Sequence, residues 1–337
     1  MDGILHEVVS LPRHLQSAIM SRIKILANLD IAERRIPQDG RFNLKMEAKE
    51  IDLRVSSFPT IYGENVVLRL LDVSSALLSL AQLGFSQEIL EKYQKLILRP
   101  HGILLVTGPT GSGKTTTLYA SLDKINTADK NIITLEDPVE YRLPGIRQTQ
   151  VNPKVGLAFS NGLRSILRQD PDVIMVGEIR DLETAQIAIQ AALTGHLVLS
   201  TLHTNDAPGA LTRMIDMGVE PFLISSSVIG VLAQRLVRTL CQDCKEASSP
   251  SKETIKFYRG KGCLKCRKTG YKGRIAIFEM MIPDEKIRNS TLAKASLGEI
   301  RKQARSSGMV TLKEDGVRKA KEGLTSLEEV FRVTEEE

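Results

Sequence analysis

The stretch Gly108-Pro109-Thr110-Gly111-Ser112-Gly113-Lys114-Thr115 decides how this chain is read. It satisfies G-x-x-x-x-G-K-[ST], the spacing of a phosphate-binding loop. Its flanks agree with that reading. Ile103-Leu104-Leu105-Val106-Thr107 before it is a short aliphatic run, as a buried parallel strand requires, and Thr115-Thr116-Thr117-Leu118-Tyr119-Ala120 after it opens a helix. Glycines let the backbone turn tightly, so that its N–H groups converge on phosphate oxygens at a helix N-terminus. Lys114 is expected to bring positive charge to the β- and γ-phosphates of ATP, and Thr115 to place its hydroxyl on Mg²⁺. Residues Gly108 to Thr115, with Thr116 behind them, form the candidate nucleotide site.

Three more aliphatic runs follow: Ile132-Ile133-Thr134-Leu135, Val173-Ile174-Met175-Val176 and Leu197-Val198-Leu199-Ser200. They alternate with helix-like segments, the rhythm of a parallel sheet covered by helices. Ligands in such sheets gather at the carboxyl ends of the strands. Those ends carry Glu136, Asp137 and Glu140, then Glu178, Arg180 and Asp181, then Thr201 and His203. Glu178 occupies the place of a Walker B acid on a strand expected beside the phosphate loop, with Gly177 intervening. A carboxylate there polarises an attacking water or holds Mg²⁺ through water, whereas the bland alternative is a cap for the next helix. His203 is read either as a site residue or as a satisfied structural histidine. Arginines brought in from another domain or subunit accelerate phosphoryl transfer. Arg54 and Arg69 stand on expected strands of the N-terminal part, and Arg164, Arg168, Arg180 and Arg213 lie in the part around the loop.

Cys241-x2-Cys244 and Cys263-x2-Cys266 are separated by eighteen residues, a spacing that fits a closed, structural tetrahedral zinc site. The chain nets +6, yet residues 235–274 alone hold twelve Lys/Arg against three Asp/Glu. Zinc with four thiolates adds −2, which leaves that segment near +7. Its partner is expected to be anionic lipid, nucleic acid or an acidic protein face, against the alternative of a solvated surface.

The 337 residues suffice for two or three domains, with 42% apolar and 26% charged residues, 4% aromatics and no tryptophan. The core must therefore be aliphatic. No apolar stretch reaches the length of a membrane span, the best being residues 223–233, and the N-terminus lacks a signal-peptide pattern. A cytoplasmic location is the default expectation. Residues 1–78 read as a mixed α/β module, with a helix over 10–28, a turn over 37–40, strands over 42–46, 51–55 and 66–71, and a loop over 59–63. Asp2-Gly3 reads as a turn with no strand before it. Residues 74–83 read as a linker, 79–235 as the nucleotide-binding core, 236–280 as the tetracysteine element, and 281–337 as helical and charged with a frayed Glu335-Glu336-Glu337 end.

Together these motifs resemble the secretion ATPase superfamily that drives type II secretion, type IV pili and DNA uptake. LDIAERRIPQDG (29–40) is similar to its N-terminal linker domain, IITLEDPVEY (132–141) to its Asp box, LRQDPDVIMVGEIRD (167–181) to its Walker B, and TGHLVLSTLHTND (194–206) to its His box. AQRLVR (233–238) and the paired cysteines resemble the metal-binding end of the secretion and pilus-extension branches, an element that retraction ATPases usually lack. MGVEPFLISSS (217–227) looks most like the type II secretion branch. The resemblance implies a RecA-like P-loop core behind an N-terminal α+β, PAS-like module. It implies a hexamer peripheral to the cytoplasmic face of the inner membrane, hydrolysing ATP to work a secretion platform. It assigns Lys114 and Thr115 to nucleotide and Mg²⁺ and Glu178 to catalysis, with Glu136 and His203 as supports and Arg54 and Arg69 as fingers across domains. The further N-terminal domain and the opening strands of the linker domain that members normally carry are absent from this sequence, which bears on docking to the inner-membrane partner. The competing readings are a pilus-extension ATPase, a nucleic-acid translocating motor gripping through residues 235–274, a small-molecule kinase and a nucleotide-gated scaffold. Nucleic acid is not the expected partner, since no aromatic stacking platform is visible.

Overall fold

The computed structural model describes residues 3, 5–46, 49–72, 77–248 and 256–334. The chain divides into two compact units, Gly3–Ala76 and Leu77–Glu337.

In the first unit, helix α1 (Gln16–Leu26) precedes an antiparallel sheet of β1 (Gln38–Met46), β2 (Lys49–Thr60) and β3 (Gly63–Asp72), in that order. The helix is shorter than expected and its first turn is a 3₁₀ turn over Arg13–Leu15. The strands are longer. The expected 37–40 turn already belongs to β1 from Gln38, and Pro59-Thr60 belongs to β2, leaving a tight Ile61-Tyr62 turn. Pro59 is tolerated because β1 pairs only as far as Ser57, so the missing N–H faces no partner strand. Leu53 and Val55 face the core. On the opposite face the register sets Arg41 across from Arg54 and Arg54 across from Arg69, a row of three guanidinium side chains. Lys24 on α1 is buried, with its Nζ donating to the Glu33 carbonyl at 2.6 Å and pairing with Glu64 at 2.5 Å.

The second unit begins with α2 (Gln87–Ile97), β4 (Gly102–Thr107), α3 (Lys114–Ile125), β5 (Ile132–Glu136), β6 (Arg147–Gln150), α4 (Phe159–Ile166) and β7 (Val173–Val176). It continues with α5 (Leu182–Leu193), β8 (Leu197–Leu202), α6 (Ala207–Asp216), α7 (Pro221–Ser227) and β9 (Val228–Leu240). A small hairpin, β10 (Lys245–Ala247) with β11 (Tyr258–Gly260), precedes β12 (Tyr271–Met281). Helices α8 (Glu285–Leu292), α9 (Leu297–Ser306), α10 (Leu312–Lys321) and α11 (Leu327–Thr334) complete the unit. The main sheet runs β12-β9-β4-β8-β7-β5-β6, parallel throughout except for antiparallel β12 at its edge.

Strand β4 is buried along its whole length. Ile103 and Leu105 join the hydrophobic cluster on one face and Leu104 and Val106 the cluster on the other. Burial on both faces is what an uninterrupted aliphatic run provides. The sheet order alters one expectation. The Glu178 strand, β7, is not beside β4, because β8 lies between them. The strand leading to His203 thus flanks β4 on one side, and β9 flanks it on the other. The apolar stretch 223–233 divides between α7 and β9, and no helix among the described residues is long and apolar enough to cross a membrane. Asp2, residues 74–76 of the expected linker and the Glu335–Glu337 end lie outside the described residues.

Candidate nucleotide and metal sites

The 108–115 loop leaves β4 at its carboxyl end, and α3 begins at Lys114. Gly108 (φ 147°) and Gly113 (φ 88°) occupy backbone regions that side chains avoid. A Cβ on Gly108 would strike the Gln234 carbonyl and one on Gly113 would come within 2.8 Å of Gln234 Nε2. Lys114 is buried, and its Nζ donates to the carbonyls of Gly108 at 2.8 Å and Pro109 at 3.0 Å. Burial pulls its pKa down, opposed by the negative charge of Glu178. Ser112 Oγ is buried without a hydrogen-bond partner, an orphan that suits an oxyanion seated in the loop. Pro109, Thr110, Gly111 and Thr115 are exposed and Thr116 half-buried, so they are open to a ligand on the outer side of the loop.

Glu178 follows β7 with its side chain 16% exposed. Arg180 donates to Oε1, and His203 Nε2 lies 3.3 Å from Oε2. Burial pushes the Glu178 pKa upward, but the Arg180 guanidinium and His203 outweigh it and hold the carboxyl below its usual range. An ionised carboxylate, an imidazole and, through the field, Lys114 therefore share one end of the sheet. The His203 loop is tied to β4 as well, since Thr204 N–H donates to Thr107 Oγ1 at 2.9 Å.

Glu136 is placed differently. It ends β5, is 2% exposed, and its carboxylate is taken up by side chains: Tyr119 Oη donates to Oε2, while Thr134 Oγ1 (2.5 Å) and Gln148 Nε2 (3.1 Å) donate to Oε1. Burial and the neighbouring Glu136 charge raise the Tyr119 pKa. This is the geometry of a structural carboxylate tethering α3 to β5 and β6. Asp181 and Asp206 cap helices α5 and α6 through the N–H groups of Thr184 (2.8 Å) and Gly209 (2.9 Å), the bland role for strand-end carboxylates.

Residues that sequence reasoning passed over are Gln234, Tyr119 and Gln148. Gln234 is 1% exposed directly after the buried apolar run Val231–Ala233, and that buried amide was the available signal. Nothing local marked Tyr119 or Gln148, whose partners lie 17 and 12 residues away.

The four cysteines come together with all Sγ atoms within 4.8 Å of one another. Cys241–Cys263 and Cys244–Cys266 are 3.8 Å apart and Cys263–Cys266 3.7 Å. A regular tetrahedron with Zn–S bonds of about 2.3 Å has edges of about 3.8 Å, so the thiols fit zinc. Cys266 Sγ accepts the N–H of Cys263 at 3.1 Å and of Gly270 at 3.3 Å. Chiefly through the Cys263 N–H, its thiol is lowered to about 6, while burial raises Cys244 to about 12.

The basic segment 235–274, of which residues 249–255 lie outside the described residues, is less of a free surface than its charge count suggests. Arg235 is 8% exposed with Nε and Nη2 unpartnered, and Arg238 stacks on Tyr271 and pairs with Glu329 at 2.7 Å. Arg259 and Lys265 are paired with Glu246 and Asp243.

Residues 1–332 match the family described as "Type II/IV secretion system protein". The chain is 54% identical to the type II secretion system ATPase E of Vibrio cholerae, an alignment covering 100% of this chain and 69% of that protein. It is 51% identical to the type IV pilus assembly ATPase PilB of Thermus thermophilus, covering 99% of this chain and 39% of that one. The crystal structure of the pilus retraction motor PilT with bound ADP superposes with a TM-score of 0.67 at 29% identity, over 89% of this chain and 78% of that one.

Proposed function

Since the chain belongs to the type II/IV secretion system protein family, we infer that it is an ATPase whose hydrolysis of ATP powers protein export by a type II secretion system. The observation that carries the chemistry is the ionised Glu178 held between Arg180 and His203 and coupled to the buried Lys114. In this reading the core is RecA-like and the 108–115 loop a P-loop. Its N–H groups and Lys114 bind the phosphates, Thr115 holds Mg²⁺, and Glu178 orients the attacking water and accepts its proton. Mg²⁺, bound with ATP, neutralises charge on the β- and γ-oxygens. His203 keeps Glu178 in place. Glu136 acts as a tether rather than as a reacting group. Arg54 and Arg69 are fingers that complete the site from a PAS-like N-terminal module, so a hexamer is the working form. Domain limits of 1–78, 79–235, 236–280 and 281–337 accompany this reading. The tetracysteine element holds zinc, and the assembly works on the cytoplasmic face of the inner membrane with platform proteins as partners.

Pilus extension is the second reading, favoured by the near-equal identity to the Thermus PilB.

The test is Mg-ATP hydrolysis measured against protein concentration, with Glu178→Gln as the blank. Specific activity should rise with concentration as sites are completed between subunits. Flat, appreciable activity would remove the shared-site hexamer, and Glu178→Gln with normal turnover would remove Glu178 from the chemistry.

A further inference from the structure

We propose that Gln234 is a positioning residue for the nucleotide phosphates, holding the 108–115 loop so that the Gly113 N–H is aimed into its mouth. The proposal rests on that loop binding nucleotide.

The amide on β9 makes two bonds. Its Nε2 donates to the Ser112 carbonyl at 2.8 Å, and its Oε1 accepts from Thr117 Oγ1 at 2.6 Å. The assignment of N and O is forced, because a carbonyl only accepts, so the atom facing Ser112 must be the donor. One rigid side chain thereby joins the loop and the first turns of α3 to the central sheet. Thr117 is itself held. Its carbonyl accepts from Ser121 Oγ at 2.7 Å, and that hydroxyl lies 2.8 Å from Tyr93 Oη on α2.

The consequence for the loop follows from peptide geometry. In a trans peptide the C=O and N–H point in opposite directions. The Ser112 C=O is directed at Gln234, so the Gly113 N–H points away from β9, toward the side on which a phosphate sits. Gly113 must lack a side chain for this, since a Cβ would come within 2.8 Å of Gln234 Nε2. Val231, Leu232 and Ala233 before Gln234 and Val237 after it are wholly buried, with Arg235 the neighbouring polar side chain. A primary amide is stable in such a strand only with both ends bonded, and both bonds go to the loop and helix. An apolar residue would pack there as well but would leave the Ser112–Gly113 peptide free to rotate.

The test is the affinity for a fluorescent ADP, titrated on the full chain and on Gln234→Leu, Gln234→Glu and Lys114→Ala. Gln234→Leu should weaken ADP about tenfold, with kcat at saturating ATP changed much less than KM. Binding within twofold of the unsubstituted chain overturns the proposal. Gln234→Glu separates positioning from packing and serves if the leucine variant fails to fold. Protonated, the glutamic acid still donates to Ser112; ionised, it faces that carbonyl with a second acceptor. Its affinity relative to the unsubstituted chain should therefore recover as pH falls from about 9.5 to about 6. A ratio that does not change with pH overturns the proposal. Lys114→Ala should abolish tight ADP binding. If it does while the Gln234 variants bind normally, only the role of Gln234 fails; if it does not, the nucleotide reading of the loop fails.

Discussion

Replacing Glu136 with alanine tests whether that carboxylate is a tether or a reacting group. The side chain accepts three hydrogen bonds in a region where Tyr119 and Thr134 are wholly buried. Gln148 keeps other partners, the Tyr141 carbonyl at 3.2 Å and the Leu143 N–H at 2.7 Å. Tyr119 and Thr134 are left with hydroxyl protons that have no acceptor. Each such orphan costs about 1–3 kcal/mol, so the loss is about 4 kcal/mol before any cavity is counted. For a unit of this size each kcal/mol shifts Tm by about 2–4 °C, which gives a fall of about 8–16 °C. Glu178→Gln is the control. Its carboxylate is partly exposed and paired with the exposed Arg180, so the change should cost less than about 1 kcal/mol while lowering turnover a hundredfold or more. The assay is calorimetry without nucleotide beside phosphate release. An unchanged Tm with lost turnover in Glu136→Ala would refute the tether and return Glu136 to the chemistry.

The purified chain is expected to carry about one zinc per protomer by elemental analysis, and chelation should lower its Tm; a folded, metal-free protein with the same Tm would sink the tetracysteine reading. Glu329 offers a pH test. Burial raises its pKa, but Arg332 and Arg238 prevail and hold it at about 2. A depressed carboxylate contributes stability that is present above its unfolded value near 4.3 and lost as pH falls through the folded one. Glu329→Gln should therefore be less stable than the unsubstituted chain to urea at pH 7, with the gap closing between about pH 4.5 and pH 2. A gap that is constant over that range would place the carboxylate outside the Arg238–Arg332 pairing.

What the sequence disclosed and what it concealed divide by range of interaction. The glycine-rich loop is a local signal, with motif, strand and helix within about twenty residues, and the parallel core follows from its aliphatic runs. The strand-end rule directed attention to Glu178 and His203, which stand 3.3 Å apart. Strand β6 was missed because Arg147–Gln150 is a polar, partly exposed edge whose only instruction is its pairing with β5. Strand β12 was missed because its register is set by β9, with an irregularity between Tyr271 and Arg274. Gln234 reaches back 122 residues to Ser112, and no periodicity in one chain reports such a bond. Glu136 sits at a strand end as a site residue would, yet its three partners come from α3, β5 and β6, an arrangement that only the packed sheet reveals.

Strand β9 carries one more implication. It runs unbroken from Val228 to Leu240, holds Gln234 against the loop, and passes directly into Cys241. Six residues of extended chain lie between that amide and the first thiol, and the seven steps span about 23 Å. The last β4 pair is at Ala233, and beyond it β12 pairs with this segment from Gln234 to Arg238 and again at Leu240, which keeps it extended rather than slack. It behaves as a push-rod with a clamp at each end, one on the four-cysteine cluster and one on the 108–115 loop. Strain applied at the cysteine cluster would travel down the rod and arrive at the 108–115 loop.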